Sequence, residues 1–391
     1  MGLSFLLLSI NGVDAAEYRV TPSIRLGQGW DSNIFETSDN VVSDFYSTVT
    51  PELTIATASR NLSMQFRAGF EGRWYYDHPE VSTAGYSKYI RITPIDNGWR
   101  PTARFSVSPA AYYLETRDMT TRSFLIPVDP TLPQQGIATY GLQKSRDFGA
   151  SIGLRYQAAA RMETALTVYG AAQQYPDLPG GEADSSTVGT DVSVRYALSP
   201  SSSAGVYGSG SKEFFKVTPD ARRFAAGLLA GHQLSQFFRI DGRLGMSFIR
   251  QPASGTDNSD HSSNNPEGNI TIVYSRNTFQ ATLYGTYGYS GLGGVVTRTG
   301  TVGITLADQF APRWSWSLGG NYQNNRTVFT AASSEDKTLN GIGAIRYAPW
   351  DWGTFDLTGN ASHQQTDIPN GDLTRYSVVL GFTIANTYTV F

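Results

Sequence analysis

The chain has 391 residues, with 40 glycines, 22 tyrosines, 20 phenylalanines and no cysteine, and charged residues make up 16% of it. Its mean hydropathy of -0.27 is too low for a bundle of membrane helices, and its charged fraction is low for a soluble protein of this size. Without cysteine, the chain has no disulfide framework and no thiolate metal site. The net charge is -3 and no run of basic residues occurs, so no nucleic-acid partner is expected.

An apolar stretch from Leu3 to Ile10 opens the chain and is too short to cross a membrane as a helix. Small residues follow at Val13-Asp14-Ala15, where a signal peptidase needs them. We therefore expect a cleaved signal peptide at residues 1–15 and one mature domain at residues 16–391. No lysine or arginine precedes the apolar stretch, so we expect the natural start to lie further upstream.

The segment from Leu62 to Trp74 alternates strictly along its length. Its even positions are apolar or small, and its odd positions are polar, charged or glycine. The segment from Phe238 to Phe248 does the same. Because successive side chains of a strand point to opposite faces, each segment has one apolar and one polar wall. The repetition of this pattern, with aromatic residues at the segment ends, indicates an outer-membrane barrel rather than a soluble sandwich.

Segments of this kind recur about eighteen times along the chain. We predict strands at residues 18–30, 44–57, 61–76, 86–95, 101–115, 143–157, 161–174, 186–198, 202–215, 221–233, 236–250, 267–276, 278–290, 295–308, 312–326, 337–348, 352–366 and 374–385. Short connections such as Asp96-Asn97-Gly98 and Asp308-Gln309-Phe310-Ala311 alternate with long loops such as residues 116–142. Outer-membrane barrels have short periplasmic turns, longer outside loops and both termini in the periplasm, so the strand number should be even.

The predicted fold class is therefore all-β. We expect a transmembrane up-and-down antiparallel β-barrel of about 18 strands (roughly 16 to 20) in the outer membrane of a Gram-negative bacterium, with both termini periplasmic. A barrel of this size encloses an aqueous lumen unless a loop plugs it. Its expected surroundings are outer-membrane lipid and lipopolysaccharide, and Phe66, Phe70, Ile240 and Leu244 are predicted to face lipid.

The last predicted strand alternates clearly from Tyr376 to Ile384, and the chain ends in Phe391. A terminal phenylalanine is typical of chains inserted by the outer-membrane assembly machinery. The residues from Ala385 to Val390 are predicted to break the phase of the alternation.

Arginine is strongly preferred over lysine, with 25 arginines and 5 lysines, and it falls repeatedly on the polar phase of the predicted strands. The residues predicted to line the pore are Arg25, Arg67, Arg73, Arg104, Arg155, Arg195, Arg239, Arg243, Glu71 and Asp241. Rings of guanidinium groups select anions, so one interpretation is a lumen that passes an anionic solute or polymer. The other interpretation is that arginine pairs with Glu and Asp across strands and stiffens the wall. The sequence leaves both open.

The longest predicted loop, from Arg117 to Gln143, contains an apolar cluster that an exposed loop has no need of. Its residues are Phe124, Leu125, Ile126 and Val128. We expect this cluster to fold into the barrel mouth as a constriction or to pack on a partner. A loop that lies passively across the rim is the alternative.

No arrangement of residues indicates catalysis or metal binding. The segment from Gly149 to Gly153 matches G-x-S-x-G, but that motif needs a strand-turn-helix elbow, and here it falls inside a predicted strand. The four histidines, His78, His232, His261 and His363, show no metal-ligand spacing. We therefore expect no enzymatic activity, no metal and no cofactor.

Four segments near the N-terminus share a pattern with a known family. They run from Tyr18 to Ile24, Trp30 to Phe35, Ser43 to Phe45 and Thr50 to Thr54. They resemble the opening of the outer-membrane β-barrel porins found with bacterial exopolysaccharide and exosortase systems, whose pattern is P-x-I, D-N-hydrophobic, S-D-aromatic and P-x-L. The resemblance ends near residue 75, and it implies a role in moving or anchoring a secreted polysaccharide together with periplasmic polysaccharide-export proteins.

Three hypotheses for function follow. The first is an outer-membrane conduit for export of an exopolysaccharide, expected to be anionic. The second is a general or anion-selective diffusion porin. The third is a structural sheath that encloses a partner such as a multihaem cytochrome. This chain has no cysteine and so no C-x-x-C-H motif, and any haem would have to come from that partner.

Overall fold

The computed structural model describes residues 17–117, 144–177, 184–216, 219–252, 261–292, 295–328, 335–367 and 372–390. The predicted signal peptide at residues 1–15 lies outside these ranges. Within them, no helix is long and apolar enough to cross a membrane. A short 3₁₀ turn occurs at Pro79–Val81.

Nearly all of the described chain is antiparallel β-strand. The strands are β1 Glu17–Asp31, β2 Asp44–Ala58, β3 Leu62–Tyr75, β4 Thr83–Thr102, β5 Phe105–Thr116, β6 Ser145–Ala159, β7 Met162–Gln174, β8 Ser185–Ala197, β9 Ser202–Phe215, β10 Ala221–Ser235, β11 Phe238–Gln251, β12 His261–Arg276, β13 Phe279–Leu292, β14 Val295–Ala311, β15 Trp314–Thr327, β16 Glu335–Trp350, β17 Gly353–Thr366, β18 Leu373–Ala385 and β19 Tyr388–Val390.

The sheet closes on itself, because each strand pairs with its neighbours in chain order and β1 pairs with both β2 and the end of the chain. β18 and β19 both pair with β1 and together occupy one strand position of the barrel wall, called a stave below. The barrel therefore has eighteen staves. The prediction of an all-β, up-and-down antiparallel barrel of about eighteen strands is confirmed. Closure matters because β1 and the last strand pair with each other, so neither presents a free edge to another chain.

The interruption between β18 and β19 corrects one prediction. Ser23 pairs with Ala385 and Val20 pairs with Tyr388, so the register is unchanged across the break. Tyr388 and Val390 are both exposed on the outward face, and the phase therefore continues. The ladder is interrupted where Asn386 lies opposite Pro22, which has no N–H to donate.

The outward faces of the strands are apolar and exposed, as the alternation predicted. Leu244 is 70% exposed and Phe70 is 46% exposed. Ile240 lies on the same face of β11 as Leu244, and Phe66 of β3 lies opposite the exposed Ile92 of β4. Away from its rims the barrel therefore presents an apolar outer surface, and the polar faces of its strands are directed to the lumen.

Some predicted turns are irregularities within strands instead. Asp96-Asn97-Gly98 lies inside β4, which runs on to a turn at residues 103–104. Gly98 has φ 67°, and the register of β4 against β5 shifts on either side of Trp99. A glycine with positive φ produces a bulge here, which has the same local sequence signal as a turn. Asp308 to Ala311 likewise belongs to β14, at a second register shift.

The outward face leads to a prediction that depends on depth. Leu244 lies opposite the apolar Leu228 and seven residues from the loop end of β11, whereas Phe70 lies opposite the cation Lys88 and five residues from the loop end of β3. Replacing Leu244 with Arg is expected to lower the free energy of unfolding by about 2–4 kcal/mol, and replacing Phe70 with Arg by about 0–1 kcal/mol. Denaturant titration of the folded, heat-modifiable gel band would measure both. The inward Gln65→Arg variant is the control, and an equal loss from all three changes would contradict the assigned faces.

Candidate functional site

Charged side chains of opposite sign pair along the inner wall of the barrel. The ion pairs of the predicted pore-lining residues are Arg25–Asp356 at 2.6 Å, Arg67–Glu52 at 2.6 Å, Arg73–Glu71 at 2.8 Å, Arg155–Glu163 at 3.4 Å, Arg195–Asp241 at 3.5 Å, Arg239–Asp241 at 2.5 Å and Arg243–Asp191 at 3.3 Å. Each of these arginines thus has a carboxylate beside it. The wall therefore presents compensated charge rather than a ring of free guanidinium groups.

Arg104 is placed differently from the other predicted residues. It lies in the turn between β4 and β5 and is exposed there. The sequence placed it in a strand because Asp96-Asn97-Gly98 was interpreted as the turn. Since that segment is a bulge, the true turn moves to residues 103–104, and Arg104 sits at the short-turn end of the barrel instead of in the wall.

The lumen has an open half and a filled half. Toward the short turns, inward side chains are well exposed, with 44% of Arg67, 55% of Arg155 and 58% of Arg239 accessible. Toward the loops, inward polar residues are buried, and Asp147 and Gln173 have no accessible surface. The lumen therefore opens at the short-turn end and narrows toward the loop end.

A buried ionic cluster lies in the filled half, on β1, β3, β4, β18 and the first loop. Arg375 donates from Nε to Asp31 Oδ1 at 3.0 Å and from Nη2 to Asp31 Oδ2 at 2.5 Å, and its Nη1 contacts Glu36. The guanidinium of Arg73 lies 3.9 Å from Asp31 and 3.8 Å from the ring centroid of Tyr86. All five residues are buried. Because a bidentate guanidinium–carboxylate pair has a fixed geometry, the cluster ties β1 to the last stave.

The first loop folds into the mouth on top of this cluster. Asn33 donates from Nδ2 to the Thr37 carbonyl at 2.7 Å, and its own N–H binds Asp31 Oδ1 at 3.0 Å. Ile34 is 1% exposed and packs with Tyr46. These residues come from the Trp30 to Phe35 segment that carries the family resemblance. In this barrel the segment shapes the loop that covers the mouth beside β1.

The barrel wall forks between β12 and β13. β12 pairs with β11 along its whole length, but its pairing with β13 ends where Gly268 meets Tyr287. Residues 261–267 therefore form a strand edge toward β13 within the loop half. Pro266 lies on this edge. Because proline has no backbone N–H, it adds no unpaired hydrogen-bond donor to the edge. A cavity of about 1420 Å³ borders the fork and is lined in part by Gly268, Tyr287 and Arg298.

Beyond the fork, the ends of β13 and β14 fold into the lumen. Tyr289 and Val296 pack against Phe215, Ala221 and Ile249, which are inward residues of β9, β10 and β11. β13 also approaches β8 to within 8 Å between Cα atoms, although four strands lie between them in the wall. The outer face of this hairpin thus lies against the inner face of the wall formed by β8 to β11. It narrows the lumen from within.

Asn265 of β12 holds the hairpin across the fork. Its Nδ2 donates to the hydroxyl of Tyr289, and its Oδ1 accepts from Arg298 Nη1 at 3.1 Å. Just below, Glu267 binds Arg223 and accepts from the Tyr207 hydroxyl at 3.1 Å. Sequence reasoning missed Asn265 and its partners because the predicted strands left residues 251–266 in a connection, whereas β12 begins at His261. Pro266, a residue type that favours strand edges, was the available signal.

The constriction predicted from the sequence involves a different set of residues. Phe124, Leu125, Ile126 and Val128 fall outside the described residues, so their predicted role stays a prediction.

Among the residues that are described, no group of three His, Asp or Glu side chains could hold a metal ion. The segment from Gly149 to Gly153 is extended strand within β6, with Ser151 buried on the inner face.

No protein-family model matches the sequence, and no curated protein sequence matches it. Among solved structures, a BenF-like porin from Pseudomonas fluorescens Pf-5 is similar at 12% identity and a TM-score of 0.48, covering 97% of this chain and 100% of that one. OpdK of Pseudomonas aeruginosa, in a structure with vanillate, is similar at 10% identity and a TM-score of 0.45, covering 94% of this chain and 99% of that one. At these values, the barrel assignment rests on the strand pairing above.

The buried cluster leads to a stability prediction. Replacing Arg375 with Met removes the bidentate partner of the buried Asp31, which keeps the longer 3.9 Å contact with Arg73, and removes the cation beside the buried Glu36. This change is expected to cost about 3–5 kcal/mol of folding free energy. Arg19→Met is the matched control, because Arg19 pairs with Glu17 at 2.5 Å at an exposed position of the same wall. That change is expected to cost about 0–1 kcal/mol. Urea midpoints of the two variants would measure the difference, and equal midpoints would contradict a structural role for the cluster.

Proposed function

We propose that this protein is an outer-membrane channel with an aqueous lumen. The observation that supports this most is the two-sided wall: a closed eighteen-stave barrel has exposed apolar residues outside and ion-paired polar residues inside. Strands with these two faces suit lipid on one side and water on the other. In this placement, the short turns and both chain ends are periplasmic, and the open half of the lumen faces the periplasm.

The paired inner wall favours a diffusion channel for small polar solutes over a strongly anion-selective one. Arg67, Arg195 and Arg239 are accessible from the open half, but each has a carboxylate within 3.5 Å. Guanidinium groups compensated in this way attract an anion less than free ones do. We therefore propose weak charge selectivity, with size selection at the constriction formed by β13 and β14.

Export of an anionic exopolysaccharide is the narrower form of this proposal, with periplasmic polysaccharide-export proteins as partners. The N-terminal resemblance supports it, whereas the compensated wall and the hairpin across the lumen do not favour it. A polymer chain would need the hairpin to move aside. The sheath hypothesis has less support, because the same hairpin occupies space that an enclosed partner would need.

The constriction is tested by single-channel conductance in planar bilayers. Replacing both Tyr289 and Ile249 with Ala removes the apolar contact that holds the hairpin against the wall. We expect the variant to conduct more, or to fluctuate between conductance levels, because the hairpin is then free to leave the lumen. Leu283→Ala is the control, since Leu283 is on the same strand below the fork, pairs with Ile272 of β12 and faces outward at 43% exposure.

The wild-type protein is expected to show a small, stable conductance in the same assay. Absence of any conductance in wild type and variant alike would overturn the channel proposal. Block of the wild-type current by added anionic polysaccharide, but not by neutral dextran of equal size, would favour the export conduit instead.

Charge selectivity is tested by a double-mutant cycle on the Arg67–Glu52 pair. Arg67→Gln leaves Glu52 without its cation in the open half, so the reversal potential should shift toward cation preference. Glu52→Gln should shift it toward anion preference. The double variant should return close to wild type, because the pair contributes no net charge. Unchanged reversal potentials in all three variants would show that this wall segment does not control ion passage.

A further inference from the structure

The outward face of the barrel has a row of three cations near its loop end. Lys212 of β9 pairs with Arg222 of β10, which pairs in turn with Arg250 of β11. Directly opposite residues on neighbouring antiparallel strands have Cα atoms about 4.5–5.5 Å apart, and like charges placed in this way destabilise the sheet. These three residues are called the basic row below.

The basic row points away from the lumen. The adjacent residues Glu213, Ala221 and Ile249 are directed inward and are buried. Successive side chains of a strand point to opposite faces, so the members of the row are directed outward. Arg222 and Arg250 are accordingly exposed.

The row marks the upper border of the apolar outer surface. Two residues further from the loops, Phe224 and Phe248 are 59% and 41% exposed on the same face. Leu228 and Leu244 continue this apolar surface toward the short turns, at 68% and 70% exposure. Cations directly above an apolar surface of this kind lie at the level where lipid headgroups meet the hydrocarbon.

One end of the row is fixed in position by its neighbours. Lys212 Nζ lies 2.8 Å from Asp220 Oδ2 and 4.3 Å from the ring centroid of Phe214. Asp220 offsets part of the positive charge, and the ring contact directs the ammonium along the outer surface. The two arginines then continue the row in the direction of β12.

We propose that the basic row binds the phosphate groups of lipopolysaccharide in the outer leaflet. Guanidinium groups bind phosphate oxygens in a bidentate way, and an anion seated between neighbouring cations removes their repulsion. The acyl chains of the same molecule would cover the apolar surface around Phe224 and Leu244. This inference rests on the proposed membrane placement, in which the loop end faces the outer leaflet.

The test is a calorimetric titration of the full-length protein in neutral detergent. The probes are lipopolysaccharide with intact lipid A phosphates, the same material after its phosphates are removed with hydrofluoric acid, phosphatidylglycerol and inorganic phosphate. The variant replaces Lys212, Arg222 and Arg250 with Gln. The control replaces Arg60, Arg104 and Arg161 with Gln, which removes the same charge from exposed positions at the short-turn end.

We expect the basic-row variant to bind intact lipopolysaccharide at least about tenfold more weakly than wild type, since charge-assisted hydrogen bonds to phosphate are lost. The control variant should bind like wild type, and wild type should lose the same factor when the phosphates are removed. The dephosphorylated probe keeps the test decisive even if the triple variant does not fold.

Three results would overturn the proposal. They are equal binding of both lipopolysaccharide preparations by wild type, equally strong binding of phosphatidylglycerol, and full competition by inorganic phosphate at matched concentration. Failure of the membrane placement itself is distinguishable, because such a protein would neither insert into planar bilayers nor show heat-modifiable migration.

Discussion

Backbone hydrogen bonding in an apolar solvent is the constraint on which this structure depends. A strand that faces lipid must satisfy every N–H and C=O through a neighbouring strand, and only closure into a barrel does this for all strands. The pairing of β1 with both β2 and the last stave provides that closure. Arg375 and Asp31 reinforce it, because their bidentate ion pair joins β18 to β1 in the filled half of the lumen. The junction between β1 and β18 is thus held by a side-chain ion pair as well as by backbone hydrogen bonds.

At the fork between β12 and β13 this ladder is given up over residues 261–267, and the residues at the fork reduce the cost. Pro266 has no N–H to leave unsatisfied, and Asn265 binds both Tyr289 and Arg298 on the far side of the fork. In exchange, the end of the β13–β14 hairpin gains an apolar contact with Ile249 and its neighbours. A wall element thereby serves as the constriction that barrels more often build from a loop.

The local alternation of the sequence predicted which face of each strand meets lipid, because a period of two is visible in any one segment. Counting the segments that show this period predicted the strand number. It misplaced the β4–β5 turn, since Gly98 produces the same signal in a bulge as in a turn. Ion pairs such as Arg25–Asp356 join residues that are far apart in the chain. They could not be predicted, because they depend on the register between strands, which the sequence of either strand alone does not determine. The basic row escaped detection for the same reason: no run of cations exists in the sequence, and the row appears only when three strands are aligned.

Arginine therefore has three different environments in this barrel, and depth decides what it does in each. In the filled half, water is excluded, an unpaired guanidinium would be very costly, and Arg375 and Arg73 are locked to carboxylates and aromatic rings. In the open half, water screens the pairs, so the contact between Arg239 and Asp241 is weak. On the outer rim, Arg222 and Arg250 have apolar surface below them, at a level where lipid phosphates are the abundant anions. The preference for arginine over lysine suits all three positions, since a planar, weakly hydrated cation with several donors can pair with carboxylate, stack on tyrosine or bind phosphate with little rearrangement.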